Sequence, residues 1–407
     1  MVHTKFNQLA EEIKEEVVDF AVKLVQTPST SGKEKELADL CLAKMKELGY
    51  DEVFRDGIGN VVGVVRGTGG GKSIMLNSHM DHVDPGDPSN WRFEPYSGKI
   101  ADGYIHGRAA SDVKTGLSVQ IFTPLILKKL GIRLKGDLIF TGVVQEEPAE
   151  MFGMKYLVEK TLPDKNIHFD LMLSSEATSL NLYLGHRGRV ELEVEVRGKT
   201  SHGSAPWRGI NAVYKMLPVI EKVQQLNGKL PEHDFLGKAS IALTIIGCSP
   251  GRLSIIPDQC TVSLDRRLVP GETIDDALGE IQDILEELSR QDEQFKGEVR
   301  VRRVKETSYT GYFEEVEKYM PAWFLEPENP FVQQSLAALR EIGQNPSFGK
   351  WDFATDASYV TGVKGIPSIG YSPMEEKYAH TPEDKASIEM LVKGLAGNAA
   401  IVAKIAG

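Results

Sequence analysis

The chain has 407 residues, of which 41% are hydrophobic, 26% charged and 8% aromatic. This composition supports about two or three globular domains and excludes disordered, collagen-like or disulfide-scaffold classes. Lysine and arginine number 47 against 58 aspartates and glutamates, a net charge of −11, which argues against a nucleic-acid binder working by phosphate neutralisation.

Ile13, Val17, Val18, Phe20, Ala21 and Leu24 recur at helical spacing, and Pro28 and Ser31-Gly32 close that helix. A second helix is expected over about 34–48, followed by short strands over 60–65 and 73–78. Between the strands, Arg66-Gly-Thr-Gly-Gly-Gly-Lys-Ser73 resembles a phosphate loop. The P-loop pattern needs Gly where Arg66 stands and a helix after Lys72-Ser73. A strand follows instead, so a hairpin turn is expected. A helix over 113–130, a strand over 137–145, a helix over 154–160 and a strand over 169–174 come next. This alternation predicts a mixed, mainly parallel sheet covered by helices.

The pattern changes near residue 187. Val190-Glu-Leu-Glu-Val-Glu-Val196 alternates apolar and charged residues, the period of a half-exposed strand. A helix over 211–226, strands over 239–246 and 259–266, a helix over 273–291 and a strand over 297–304 complete a β-α-β-β-α-β order. That is the split βαβ plan of a small α+β unit. The remainder returns to mixed α/β and ends in an apolar helix over about 387–405. The expected organisation is a catalytic domain of 1–186 and 302–407, with 187–301 inserted as a lid.

Cys41, Cys248 and Cys260 show no CxxC spacing, so neither a thiolate metal site nor a redox pair is expected. The N-terminal segment reads as an acidic amphipathic helix and not as a signal peptide. No apolar run approaches the roughly 18 residues of a membrane span. A cytoplasmic protein with no nucleic-acid or membrane partner is expected.

Five clusters carry the chemistry. In Asn77-Ser-His79-Met-Asp81-His82-Val-Asp84, His79 and Asp81 fall on one side of an extended chain. That suits an imidazole ligand oriented by a carboxylate; His82 and Asp84 repeat the spacing. Asp112 ends His106-Gly-Arg-Ala-Ala-Ser-Asp112, where read alone it is a helix N-cap. Glu146 and Glu147 close an apolar strand, at the edge where open α/β sheets place ligands. Glu176 follows another apolar strand, and His380 stands in Tyr378-Ala-His-Thr-Pro. Two imidazoles, several carboxylates and no thiolate suit two borderline metals. Three carboxylates and one hydroxide balance two divalent ions, which leaves Glu146 free to take a proton.

With these motifs the sequence resembles the di-zinc aminoacylase/carboxypeptidase family, which includes acetylornithine deacetylase, succinyl-diaminopimelate desuccinylase and peptidase T. The resemblance spans nearly the whole chain. It rests on Ser-His79-Met-Asp81, Gly107-Arg-Ala-Ala-Ser-Asp112, Glu146-Glu147, Glu176, His202-Gly-Ser-Ala-Pro206 with Gly209-Ile-Asn211-Ala, and His380. Gln145-Glu-Glu, Ser263-Leu-Asp-Arg-Arg267 and Ser308-Tyr-Thr-Gly311 resemble the YgeY-like hydrolase branch. The resemblance implies that His79, Asp112 and Glu176 hold one zinc and that Asp112, Glu147 and His380 hold the other, with cobalt or manganese as alternative metals. It implies that Asp81 orients His79 and that Glu146 is the general base. It further implies that His202 reaches the partner subunit's site to bind the developing oxyanion, and that Arg267 binds the substrate carboxylate. A cis peptide after Asp112, hinges near 186 and 302, and a homodimer formed through the lid belong to the same expectation, with strand 190–196 as a pairing edge. Two positions depart from the family: Ser254 replaces an Asn, and Ser372-Pro373-Met374 replaces Gly-Pro-Gly. Both lie where substrate is selected.

The function expected is hydrolysis of the amide bond of a small N-acyl amino acid or dipeptide. A non-catalytic ligand-binding relative would have lost Glu146 or a ligand, and none is lost. A phosphoesterase would use the same metals, but Arg267 favours a carboxylate-bearing substrate.

Overall fold

The computed structural model describes residues 3–148 and 150–407. Strands Ile74–His79, Leu138–Val143 and Leu171–Ser174 are buried along their whole length. Strands buried on both faces read as continuous apolar runs and pair in parallel. Accordingly, Ile74–His79 lies parallel to both of the others, and Ser368–Gly370 extends this parallel centre. The nine-stranded sheet runs Glu52–Arg55, Val61–Val65, Leu138–Val143, Ile74–His79, Leu171–Ser174, Ser368–Gly370, Leu182–His186, Trp323–Phe324, with Phe348–Trp351 beside Leu182–His186. The outer strands supply the antiparallel pairs. Helix Thr115–Lys129, apolar on most of its surface, and helix Ile388–Ala406 pack together in the core beside this sheet. The first helix is two, His3–Glu12 and Lys14–Val25, parted at Ile13.

The hairpin expected over 66–73 does not form. Val61–Val65 pairs with Leu138–Val143, which also pairs with Ile74–His79 and therefore lies between the two strands. The glycine-rich segment lies over the chain entering that middle strand. Gly67 N donates to Asp137 Oδ1 at 2.8 Å, Thr68 N to Leu134 O at 2.9 Å and Gly69 N to Lys135 O at 2.8 Å. A Cβ on Gly136 would stand 1.9 Å from Lys72 O, and one on Gly67 2.3 Å from Lys135 O. These glycines serve backbone approach, one of the two uses of glycine that sequence spacing does not separate.

The second unit has its own core. Gln259–Leu268 alternates strictly between half-buried and buried residues, and Val190, Leu192, Val194 and Val196 face the same core. The five-stranded antiparallel sheet runs Ser240–Ser249, Gln259–Leu268, Gly188–Arg197, Lys296–Val301, with Tyr319-Met320 also paired to Gly188–Arg197. Helices Ala212–Asn227 and Ile274–Gln291 pack on it. A capping box between Thr273 and Asp276 starts the second helix. The strand over 190–196, expected to leave a pairing edge, is interior instead. The outer strands are Ser240–Ser249 and Lys296–Val301, and on the former Ile245 and Ile246 are each 55% exposed.

In the larger unit, the parallel strands all end at one side. His79, Val143 and Ser174 are their last residues, so the side chains that follow them converge there, as open α/β sheets allow.

Candidate metal centre

The structure brings His79, Asp112, Glu147, Glu176 and His380 together. His79 Nε2 lies 3.0 Å from Asp112 Oδ1 and 3.5 Å from Glu176 Oε1. His380 Nε2 lies 3.0 Å from Asp112 Oδ2 and 3.0 Å from Glu147 Oε2. The two oxygens of Asp112 thus face two different imidazoles. Ligand atoms on a tetrahedral zinc with bonds of about 2.0–2.1 Å stand roughly 3.3 Å apart, so this donor set fits two ions sharing one carboxylate. Glu146 also offers an oxygen within 4.8 Å of ligand atoms of His79 and Glu176.

The carboxylates and imidazoles of the centre perturb one another strongly. Burial first, then the charge of Glu176, pushes Glu146 well above the usual carboxylate range. Burial likewise raises Glu176 to about 8 and raises Glu147. Burial would raise Asp112 too, but hydrogen bonds from His380 and His79 outweigh it and hold Asp112 low. His380 is raised to about 10 by its hydrogen bonds to Asp112 and Glu147. Burial works against a charged His79, yet Asp112 and Asp81 raise it well above its ordinary value. Four carboxylates gathered around two imidazoles form the charge pattern that divalent ions would neutralise.

Asp81 acts differently from the orientation expected of it. His79 Nδ1 donates to the main-chain oxygen of Asp81 at 3.0 Å, whereas the Asp81 carboxylate is 3.6 Å away. That carboxylate accepts from Glu146 N at 3.0 Å, Glu147 N at 3.2 Å and Ser31 Oγ at 2.6 Å. Asp81 therefore orients His79 mainly through its carbonyl and fixes the turn carrying both glutamates through its side chain.

His82 and Asp84 stay outside the centre. His82 Nε2 accepts from Ser29 N at 2.9 Å and Nδ1 donates to Val83 O at 2.8 Å, a neutral brace between loops. Asp84 accepts from Gly86 N at 2.7 Å. Asp112 is no N-cap: it lies inside a π-helical turn, Ala110–Lys114, with non-helical φ −142° and ψ 83°. The peptide between Asp112 and Val113 is cis, as the resemblance implied.

Arg267 lines a cavity of about 340 Å³ together with Asp112, Glu146, Glu147, Glu176 and His380. Arg189, which sequence reasoning missed, lines it too and is the direct cross-strand partner of Arg267. Asp265 sits between the two guanidinium groups, accepting from Arg267 Nε at 2.6 Å and Arg189 Nε at 3.0 Å. Asp356 was also missed; it is buried, accepts from Asn77 Nδ2 at 3.3 Å, and is raised to about 7 chiefly by burial. Only strand register and burial reveal these residues. His202 does not line this cavity. It is exposed on the second unit, with Nδ1 2.7 Å from Ser204 Oγ.

The model of peptidase family M20/M25/M40 matches residues 75–404. The uncharacterised protein YgeY of Escherichia coli (strain K12) is 34% identical over 395 residues, covering 96% of this chain and 95% of its own. N-formyl-4-amino-5-aminomethyl-2-methylpyrimidine deformylase of Bacillus subtilis (strain 168) is 26% identical, covering 94% and 93%. The crystal structure of aminopeptidase PepT from Bacillus cereus superposes with a TM-score of 0.75 at 23% identity, covering 97% of this chain and 99% of that one. From this match and the paired clusters around Asp112, the chain belongs to peptidase family M20/M25/M40, a family of metal-dependent hydrolases.

Proposed function

We propose that the protein hydrolyses the amide bond of a small, carboxylate-bearing N-acyl amino acid or dipeptide. The observation that carries this reading is the bridging position of Asp112, 3.0 Å from each of two imidazoles and in one cavity with Glu146 and Arg267. His79, Asp112 and Glu176 would hold one divalent ion, and Asp112, Glu147 and His380 the other; zinc is proposed, with cobalt or manganese as alternatives. When bound, the two ions supply Lewis acidity for the amide carbonyl and for water. Glu146 takes the proton of the attacking water and hands it to the leaving nitrogen. Its oxygen, within 4.8 Å of ligand atoms of His79 and Glu176 and in the same cavity, is placed for that transfer. Arg267, steadied by Asp265, receives the substrate carboxylate. The names of similar proteins, a deformylase and an aminopeptidase, support amide cleavage.

The proposal extends to assembly. Residues 187–301 serve as lid on a catalytic domain of 1–186 and 302–407, and two chains pair through the lid. Support comes from the outer strand Ser240–Ser249 with exposed Ile245 and Ile246, and from exposed Tyr214, Leu217 and Leu253 in the same unit. Each site would then borrow His202 from the partner as an oxyanion donor, worth about 3–4 kcal/mol if typical. Mixing inactive Glu146→Gln chains with inactive His202→Ala chains should restore activity in heterodimers; proven subunit exchange without recovery contradicts the shared site. Among the described residues no helix is long and apolar enough to cross a membrane. The cytoplasm is proposed as location because all three thiols are free.

The test is a panel of N-acetyl, N-succinyl and N-carbamoyl amino acids and dipeptides, offered to chelator-stripped protein before and after zinc, cobalt or manganese is added. Metal-dependent turnover of one class, absent in Glu146→Gln, is expected. No turnover of any amide with any metal contradicts the proposal.

A further inference from the structure

We infer that Asp384 is a positioning residue that sets Asp112 against His380 and thereby governs the affinity of one of the two metal sites. The inference rests on the reading of Asp112 and His380 as ligands.

Asp384 follows His380 on the same loop and is buried. Both of its oxygens are fully engaged by the segment that leads into Asp112. Oδ2 accepts from Ala109 N at 2.7 Å and Arg108 Nη1 at 3.2 Å. Oδ1 accepts from Ser111 N at 2.9 Å and Ser111 Oγ at 2.8 Å. The main chain adds to this clasp: Gly107 N donates to Asp384 O at 3.0 Å, and Lys385–Ser387 pairs with Tyr104–His106. Arg108 closes the arrangement by donating to Thr381 O at 3.3 Å and resting on the Trp91 ring at 4.8 Å.

Two segments far apart in sequence, each carrying one ligand, thus meet at this carboxylate, which supplies all the side-chain acceptors for the Arg108–Ser111 turn beside the main-chain pairing. Ala109 needs that grip, because its φ of 67° lies in the left-handed region that alanine rarely adopts. A free Ala109–Ser111 turn would let Asp112 rotate away from His380. None of the three N–H donors can reverse its role, so only a group with two acceptor oxygens satisfies them. Asparagine keeps the shape but sets an NH₂ against either Ala109 N–H and Arg108 or Ser111 N–H. Outer groups of this kind change metal affinity by about 10–100-fold.

Chelator-stripped wild type, Asp384→Asn, Ser111→Ala and His380→Ala are titrated with Zn²⁺ alone against a chromophoric chelator, and the metal-free melting temperature of each is recorded. Wild type is expected to bind two ions. Asp384→Asn should bind one of them at least about tenfold more weakly, and it should be the ion lost in His380→Ala. Ser111→Ala, which removes one of the four contacts, should weaken the same ion by a few-fold, and carries the test if Asp384→Asn does not fold. Variants that bind both ions as wild type does, however far their melting temperatures fall, make Asp384 merely structural and overturn the inference. A wild type that binds no pair of ions overturns the ligand reading itself.

Discussion

Between pH 6.5 and about 4 the fold should lose roughly 3 kcal/mol through one side chain, His186. The ring is buried, donates from Nδ1 to Arg187 O at 2.9 Å and accepts at Nε2 from Thr355 N at 3.1 Å. It meets the rings of Trp323 and Trp351 edge-on at 5.6 and 6.3 Å. Both nitrogens are committed in the neutral form, and burial pushes the ring from 6.5 down to about 4. The unfolded chain therefore binds a proton in this window that the folded chain refuses, so stability falls with falling pH and is undiminished above 6.5. At about 1.36 kcal/mol per pH unit, the gap corresponds to roughly 3 kcal/mol. Urea denaturation at several pH values from 7.5 to 4, on wild type and His186→Gln in chelator, measures it. The Gln oxygen can still accept from Thr355 but cannot titrate, so its deficit relative to wild type should shrink by about that amount as pH falls. Titration of His82 and of the metal centre is common to both chains and cancels. A deficit independent of pH would refute the reasoning.

Gly136→Ala should cost about 2–3 kcal/mol, because its Cβ meets the Lys72 oxygen at 1.9 Å. Gly69→Ala, at φ 98° with open space around its Cβ, should cost only about 1 kcal/mol; equal losses in chemical denaturation would show that the loop does not lie as described. Glu146→Gln should retain both ions and lose about 10²–10⁴-fold in kcat, whereas Glu147→Gln should lose an ion. Metal analysis beside kinetics decides, and loss of metal from both variants would mean that Glu146 is a ligand. Arg267→Ala should raise KM for carboxylate-bearing substrates by about 10–100-fold, as for a lost charged hydrogen bond. The same loss on substrates with the carboxylate amidated would remove Arg267 from substrate recognition.

The parallel centre was legible because strands and helices alternate from residue 73 to 174, and the second sheet because Val190–Val196 and 259–266 alternate between apolar and polar residues. What escaped was strand order. Val61–Val65 finds its partner in Leu138–Val143, across three intervening strands and helix Thr115–Lys129, and no local pattern encodes that pairing. The same gap turned a close-approach glycine loop into an expected hairpin and an interior strand into an expected edge. The metal-centre candidates stood out because acids at the ends of apolar strands are costly without counter-charge. Arg189 and Asp356 did not, since one is defined by its register opposite Arg267 and the other by burial beside Asn77. Asp81 was found for its spacing from His79, yet its carboxylate holds the Glu146–Glu147 turn, a contact made only in three dimensions.

Anomalous diffraction at the zinc edge, on crystals of chelator-stripped protein reloaded with zinc, tests the central claim most directly. The account predicts two peaks flanking Asp112, one beside His79 and Glu176 and the other beside Glu147 and His380. A single peak, or peaks away from Asp112, would contradict a bridging carboxylate and the hydrolytic site built on it.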